Sequence, residues 1–322
     1  MQNLGTINNI YTILSIKNDK RLYKTYSVRH NQTQVLYLIE VYQNNIPANL
    51  MNIMNNLIAL NHPNIIHTIS NGNGPIVLNN HPQGNRPYIL YENVAHSTLF
   101  EYIGIQRFTE RQAKWIFKKI LKGVEALHNA NICHRNLKPE NILLDENYNP
   151  KIYNFYFSCM NMNNLQENLG TLCYKAPEVL TNQPYNGNIA DIFSLGQILF
   201  NIVTGIHGFH SARQNDQFYG LIIAQHIAQY WQLVANQIHL NLSQNFKNLF
   251  INMVAPVPAQ RPSIVQILND PWMQEINNLT DEEMNALENI VRNEFQIREG
   301  QVQHNQQIVN LINNDNNNDN AR

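Results

Sequence analysis

At 322 residues, with 43% hydrophobic and 9% aromatic side chains, the chain is long enough to bury a sizeable core in two compact units. Charged residues make up only 14%, against roughly 25% in an average globular chain, and the formal net charge is −1. That balance leaves no electrostatic footprint for nucleic acid or for an anionic membrane surface. No stretch reaches the ~20 apolar residues of a membrane span. The opening MQNLGTINNIYTILSIKNDK holds no apolar run of signal-peptide length. The three cysteines, Cys133, Cys159 and Cys173, form no CxxC pair, and their odd number fits a reducing compartment. A soluble, cytoplasmic protein is expected.

The first third alternates short β-like runs with polar turns. Gln34 to Tyr42 is rich in β-branched and aromatic residues and reads as a strand. Asn49 to Leu60 reads as a helix ending before His62-Pro63-Asn64, and IVLNN and RPYILYE read as strands flanking a Gly/Asn/Pro loop. From about Asn93 the pattern turns helical. Thr109 and Gln112 form a capping box. Behind it Ala113, Phe117, Ile120, Val124 and Leu127 recur at helical spacing as one buried stripe. IADIFSLGQILFNIVTG is apolar nearly all round and reads as a core helix. A second capping box, Thr280 to Glu283, opens a helix expected to reach about Glu299, with Leu287, Ile290, Val291 and Phe295 packing on the body. The Asn-rich end reads as disordered.

Several segments then stand in a telling order. HRNLKPENILL (His134 to Leu144) resembles the catalytic loop of Ser/Thr protein kinases. KIYNFYFS resembles the strand and Asp-Phe-Gly turn that position magnesium, and Gly170 to Leu180 the substrate-docking loop with its Ala-Pro-Glu motif. Asp191 heads a segment similar to the family's core helix, and Arg261 and Asp270-Pro271-Trp272 complete the set. The wording is most similar to the calcium/calmodulin-dependent and AMP-activated-kinase-like group. The resemblance implies an α+β, bilobal protein kinase fold: a small antiparallel-sheet N-lobe with one helix over 1–92, and a larger helical C-lobe over 93–275. A C-terminal helix over 276–300 and a disordered tail over 301–322 would follow.

The family's chemical groups do not map cleanly. Aligned on His30 and Thr33, the strand Lys falls on Glu40, and the three phosphate-loop glycines fall on Asn18, Lys20 and Tyr23. Backbone amides approach phosphate closely only where no Cβ intervenes. Leu38 and Tyr91 would narrow the adenine pocket. At ~4 Å and an effective dielectric of 20, a charge pair is worth roughly 4 kcal/mol, so Glu for Lys turns an attraction for phosphate into a repulsion. The helix Glu maps to Ile53. Asn136 stands for the catalytic base, and an amide takes no proton at pH 7. Asn154 stands for the magnesium Asp, while Lys138 and Asn141 are retained.

Other positions match. His134 and Phe155 resemble members of the hydrophobic spine, with Leu57 suited to a third. Asp191 would cap the catalytic-loop backbone, and Glu178 and Arg261 resemble the ion pair that anchors the docking loop. Glu167 lies where this group often carries an activating phosphothreonine, Arg135 is the usual phosphate partner, and Thr171 follows in the docking loop. The resemblance therefore implies a pseudokinase with no competent catalytic residue, no metal and no cofactor, which binds a protein partner such as an active kinase or its substrate. The alternative is an active, atypical Ser/Thr kinase using MgATP, with Lys20 or Lys24 in place of the strand Lys. A decayed paralogue without a selected role is a third reading. The acidic tail helix does not suit a calmodulin target.

Overall fold

The computed structural model describes residues 4–319 apart from position 182, with side chains described as far as residue 308. Among these residues no helix is long and apolar enough to cross a membrane. The first unit is a six-stranded antiparallel barrel in the order β1-β2-β3-β4-β6-β5. Its strands are β1 (Gly5–Ile7), β2 (Tyr11–Asp19), β3 (Tyr23–His30), β4 (Leu36–Tyr42), β5 (Thr68–Leu78) and β6 (His81–Glu92). Three-residue β1 closes the barrel by pairing with both β2 and β5. At Gly5, φ is +143° and an added Cβ would lie 1.9 Å from the Val77 carbonyl oxygen, so only glycine permits that closure.

The Gly/Asn/Pro stretch is not the expected loop. Residues His81 to Asn85, between the two expected strands, instead open β6, and the reversal from β5 is made by Asn79 and Asn80, both left-handed at φ 48° and 65°. Asn tolerates that conformation and suits a two-residue hairpin. The strand expected from Gln34 begins at Leu36, because Gln34 itself is left-handed (φ 60°) and belongs to the turn. Alternate residues fill the barrel: Ile13, Tyr26, Val28, Ile39, Val41, Tyr88 and Leu90 form its core.

Helix α1 (Ala48–Ala59) follows β4 and buries Leu50, Ile53, Met54 and Leu57. The second unit is built on α2 (Leu99–Ile105) and α3 (Glu110–Asn129). The capping box at Thr109 forms, with Gln112 Oε1 accepting from the Thr109 amide at 2.9 Å, and the α3 stripe from Ala113 to Leu127 is buried. A two-stranded ribbon, β7 (Ile142–Leu144) and β8 (Pro150–Ile152), follows. Beyond it come α4 (Pro177–Leu180) and the almost wholly buried α5 (Gly187–Thr204). Then follow α6 (Tyr219–Ile223), α7 (Ile227–Ile238), α8 (Gln244–Met253), α9 (Ile264–Leu268) and α10 (Gln274–Asn277).

The last helix, α11 (Asp281–Asp319), runs well past Glu299, where the sequence suggested an end. It packs on α2 and α3. Phe295 is enclosed by Tyr102, Phe108 and Tyr148 at ring distances of 5.1, 5.0 and 5.4 Å. The Arg298 guanidinium stacks 3.8 Å over Phe108 and donates to the carbonyls that end α2. Buried Val302 and a 2.7 Å bond from Gln306 to Ser97 carry the helix on, which is why the segment from 301 is helical through Asp319 rather than disordered. Residues 320–322 of that tail lie outside the described residues. Ile290, expected to pack inward, is 51% exposed on the outer face.

Phe295→Ala should therefore cost about 3–5 kcal/mol, read as a lower urea midpoint at unchanged slope. Ile290→Ala on the same helix should change stability by less than about 0.5 kcal/mol.

Candidate functional site

The cleft between the units is lined by β2 to β4, β6, the segment His134–Asn141 and the residues after β8. Glu40 lies on the face of β4 opposite the barrel core, toward the second unit, and is buried at 2% exposure. Three tyrosine hydroxyls donate to its carboxylate. Tyr42, two residues on and so on the same face of the strand, reaches Oε2 at 2.7 Å, and Tyr91 from β6 reaches it at 3.1 Å. Tyr153 from the second unit donates to Oε1. Burial raises the pKa of Glu40 above its ordinary value, although the three hydroxyls and the nearby charge of Lys20 pull it down. Tyr91 also packs edge-on to Tyr153 at 5.7 Å, so the ring spans both units.

A second network runs beside the first. Lys20 Nζ donates to the Tyr23 hydroxyl at 2.8 Å, and that hydroxyl donates to Asn154 Oδ1 at 2.9 Å. Asn154 Nδ2 donates to Asn141 Oδ1 at 2.9 Å, and Asn141 Nδ2 to the Asn136 carbonyl at 2.7 Å. Thr171 closes the far end, its hydroxyl 3.2 Å from Asn136 Oδ1. The chain runs head to tail from Lys20 to the Asn136 carbonyl, Thr171 donating separately to the Asn136 side chain, and Asn154, Asn141 and Asn136 are all buried. Asn154 holds φ 68°, a left-handed geometry that Asn adopts at little cost. Tyr23 is packed between Tyr42 and Tyr156 at 5.2 and 5.9 Å. Burial lowers the pKa of Lys20.

The remaining positions singled out from the sequence divide clearly. Asn18 is exposed on β2, opposite Thr25. Lys24 pairs with Asp19 at 2.7 Å on the surface and stays out of the cleft. Leu38 is buried opposite Tyr91, and Ile53 is buried on α1 with no charged partner to offer. Lys138 pairs with Glu140 at 3.2 Å. His134 and Phe155 meet edge to face at 5.3 Å. Asp191 accepts from the amides of His134 and Arg135 at 2.8 and 2.9 Å, holding Arg135 at a left-handed φ of 61°. Arg261 makes a two-pronged pair with Glu178 at 2.6 and 2.7 Å. Arg135 Nη1 lies 3.1 Å from Glu167, whose pKa is lowered by backbone hydrogen bonding and by Arg135. Among the described residues no group of three or more His, Cys, Asp or Glu side chains is gathered to hold a metal ion.

A family model for the protein kinase domain matches residues 21–273. The chain belongs to the protein kinase family. This kinase-family chain is 32% identical to serine/threonine-protein kinase SRK2D of Arabidopsis thaliana, over 69% of its own length and 60% of that protein's. It is 34% identical to serine/threonine-protein kinase SAPK2 of Oryza sativa subsp. japonica, over 56% of its length and 54% of that protein's. To CBL-interacting protein kinase 26 of the same plant it is 31% identical, over 56% of its length and 36% of that protein's. The chain thus aligns with less than two thirds of each of these kinases.

Tyr42 and Tyr153, which complete the ring around Glu40, were not singled out from the sequence, although Tyr153 lies within the KIYNFYFS segment. The available signal was the period of two along β4, which puts Tyr42 beside Glu40, and the adjacency of Tyr153 to Asn154.

The raised pKa of Glu40 fixes a sign for pH dependence. Between its ordinary value of 4.5 and its higher folded value, the folded chain binds more protons than the unfolded one. Stability from this group is therefore complete below about pH 4.5 and declines as pH rises toward the folded value. The stability of the parent relative to Glu40→Gln should fall as pH is raised above about 4.5, measured by urea unfolding across a pH series. A flat difference, or one that grows with pH, would contradict burial as the dominant influence on Glu40.

Proposed function

We propose that this member of the protein kinase family is a pseudokinase, a kinase-shaped binding module that engages another protein instead of transferring phosphate. The observation that carries the reading is the cleft itself, where the positions that serve phosphate and metal are bonded to one another. The residues present do not fit a magnesium–triphosphate complex. Magnesium favours carboxylate and phosphate oxygens, whereas Asn154 and Asn141 offer neutral amides already committed to each other. The strand position that would attract phosphate carries Glu40, and the Tyr23 hydroxyl rests on Asn154. Asn136 can orient a hydroxyl but takes no proton from it. The groups that shape the fold, Asp191 with the Glu178–Arg261 pair, are in place. A scaffold that keeps its docking-loop anchor and lacks a chemical base suits recognition of a protein, either an active kinase or a would-be substrate.

A second reading, an active atypical Ser/Thr kinase, is favoured by the relatives, whose names are those of serine/threonine-protein kinases. In that reading Lys20 is the one cleft lysine placed to serve, since Lys24 is tied to Asp19 on the surface. Activity would require Tyr23 to release Asn154 and a carboxylate to enter from elsewhere.

Two measurements separate the readings. Ligand at 100 times its dissociation constant stabilises a protein by about 2.7 kcal/mol, so a binder would melt several degrees higher in millimolar MgATP. The pseudokinase is expected to show no shift. In a radiolabelled phosphate-transfer assay on stringently purified protein, Asn136→Asp alone should be as inactive as the parent. General-base catalysis, worth typically 10²–10⁴ in rate, is idle where nucleotide is not held in line. Transfer by the parent that Asn141→Ala abolishes would establish the active kinase instead.

A further inference from the structure

Just outside the cleft, two of the three cysteines meet. Cys133 immediately precedes His134, and Cys159 lies five residues beyond Asn154. The two form an isolated antiparallel bridge in which each amide donates to the other's carbonyl, at 3.0 and 3.1 Å. Their sulfur atoms are 3.2 Å apart. Reciprocally bonded antiparallel pairs hold their Cα atoms about 5.5 Å apart, inside the roughly 4.4–6.8 Å that disulfides span. An S–S bond of about 2.05 Å would need the sulfurs to close by little more than about 1 Å, and the backbone is already in position. Gly187 makes room: an added Cβ there would meet the Cys133 sulfur at 2.4 Å.

We propose that Cys133 and Cys159 are a redox-sensitive pair that closes to a disulfide on exposure to a peroxide, stapling the segment that precedes His134 to the segment that follows Asn154. This inference stands whether or not the cleft transfers phosphate. Cys159 reacts first. It retains 8% exposure where Cys133 has none. The sulfur–sulfur hydrogen bond and the nearby Arg135 guanidinium lower the pKa of the Cys159 thiol, which donates to the Asn161 carbonyl at 3.1 Å, while the same bond and burial raise that of Cys133. The Cys159 thiolate attacks one peroxide oxygen, breaking the O–O bond and giving a sulfenic acid and hydroxide. The Cys133 sulfur then attacks the sulfenic sulfur. The S–S bond forms as the S–O bond breaks, the Cys133 proton and the released hydroxide leave as water, and the sum is two thiols and one hydrogen peroxide to one disulfide and two waters. A thiol reductant reverses the closure by exchange.

The location gives the bond a consequence. The Arg135 side chain, two residues from Cys133, donates to the Phe157 carbonyl at 2.6 Å and pairs with Glu167. In the reduced protein the segment around Glu167 is held to Arg135 by non-covalent contacts. The disulfide would hold the start of that segment covalently. Cys173 is half-buried, with neither Cys133 nor Cys159 in contact, and serves as an internal control.

The test is peroxide treatment of the full chain, followed by thiol counting and peptide mapping without reductant. Two of the three free thiols should be lost, a cross-linked peptide containing Cys133 and Cys159 should appear, and dithiothreitol should restore all three. The Cys173→Ser variant should lose both of its thiols in the same way. In Cys133→Ser the cross-link should be absent and Cys159 should advance to the sulfinic acid. The wild-type and Cys173→Ser maps decide the matter even if Cys133→Ser does not fold. Oxidation confined to Cys173, cross-links that join separate molecules, or Cys133 and Cys159 recovered as unlinked thiols would each overturn the proposal.

Discussion

The constraint on which this cleft depends is the burial of one carboxylate. A carboxyl group taken out of water without hydrogen bonds costs several kcal/mol, and Glu40 is 2% exposed in the middle of β4. Its partners come from three places: its own strand, neighbouring β6, and the residue after β8. The third is decisive, because Tyr153 belongs to the other unit. The barrel and the helical unit are therefore joined through the Glu40 carboxylate. Removing Tyr153 would strip Glu40 of one donor and also break an edge-on contact with Tyr91.

How much of this could be read from the sequence depended on the range of the interaction. Contacts fixed by residue type and local spacing were legible: the capping box at Thr109 and the α3 stripe. Pairs that a family motif places together, Glu178 with Arg261 and Asp191 with the backbone at His134 and Arg135, could be named without coordinates, and the structure brings them within bonding distance. The three-residue β1 was not legible, since Gly-Thr-Ile carries too little period to mark a strand and its pairing with β5 is made across some seventy residues of chain. The ring of tyrosines escaped notice for the same reason. Glu40 and Tyr153 are 113 positions apart, and only the fold makes them neighbours. The tail helix was cut short because its Asn-rich composition argues for disorder, whereas Val302 and Gln306 anchor it against the body.

The docking-loop side obeys different physics. Arg261 is wholly buried at its side chain, and its charge is met by both Glu178 oxygens and by backbone carbonyls, so its desolvation is offset at each of its three nitrogens. The Arg135–Glu167 pair is lopsided, with Arg135 nearly buried and Glu167 59% exposed. Pairs open to solvent contribute only ~0–1 kcal/mol. What fixes Arg135 is therefore less the carboxylate than Asp191 beneath its amide and the Phe157 carbonyl at its Nε. Glu167 is the more open partner, and its segment is tied to the body through its own backbone, which accepts from the Tyr185 hydroxyl at 3.0 Å.

The polarity of the amide chain ties the side chains at 154 and 141 to one another. Asn154 needs its Nδ2 to reach Asn141 Oδ1, because Asn141 Nδ2 is already committed to the Asn136 carbonyl. Put a carboxylate at 154 and two acceptors face each other. Rotating the Asn141 amide only moves the conflict to the Asn136 carbonyl. A buried acceptor left without a donor costs about 1–3 kcal/mol, and a metal ion relieves that cost in a site built to bind one. A cleft that folds without metal is better served by amides, and once the amides pair, each one favours its neighbour. Glu40 reinforces this, since a second buried carboxylate nearby would raise the cost of ionising both. Asn154 and Asn141 are thus coupled through their amides: a carboxylate at 154 alone would leave an acceptor facing an acceptor, whereas Asn136 enters the chain only through its backbone carbonyl.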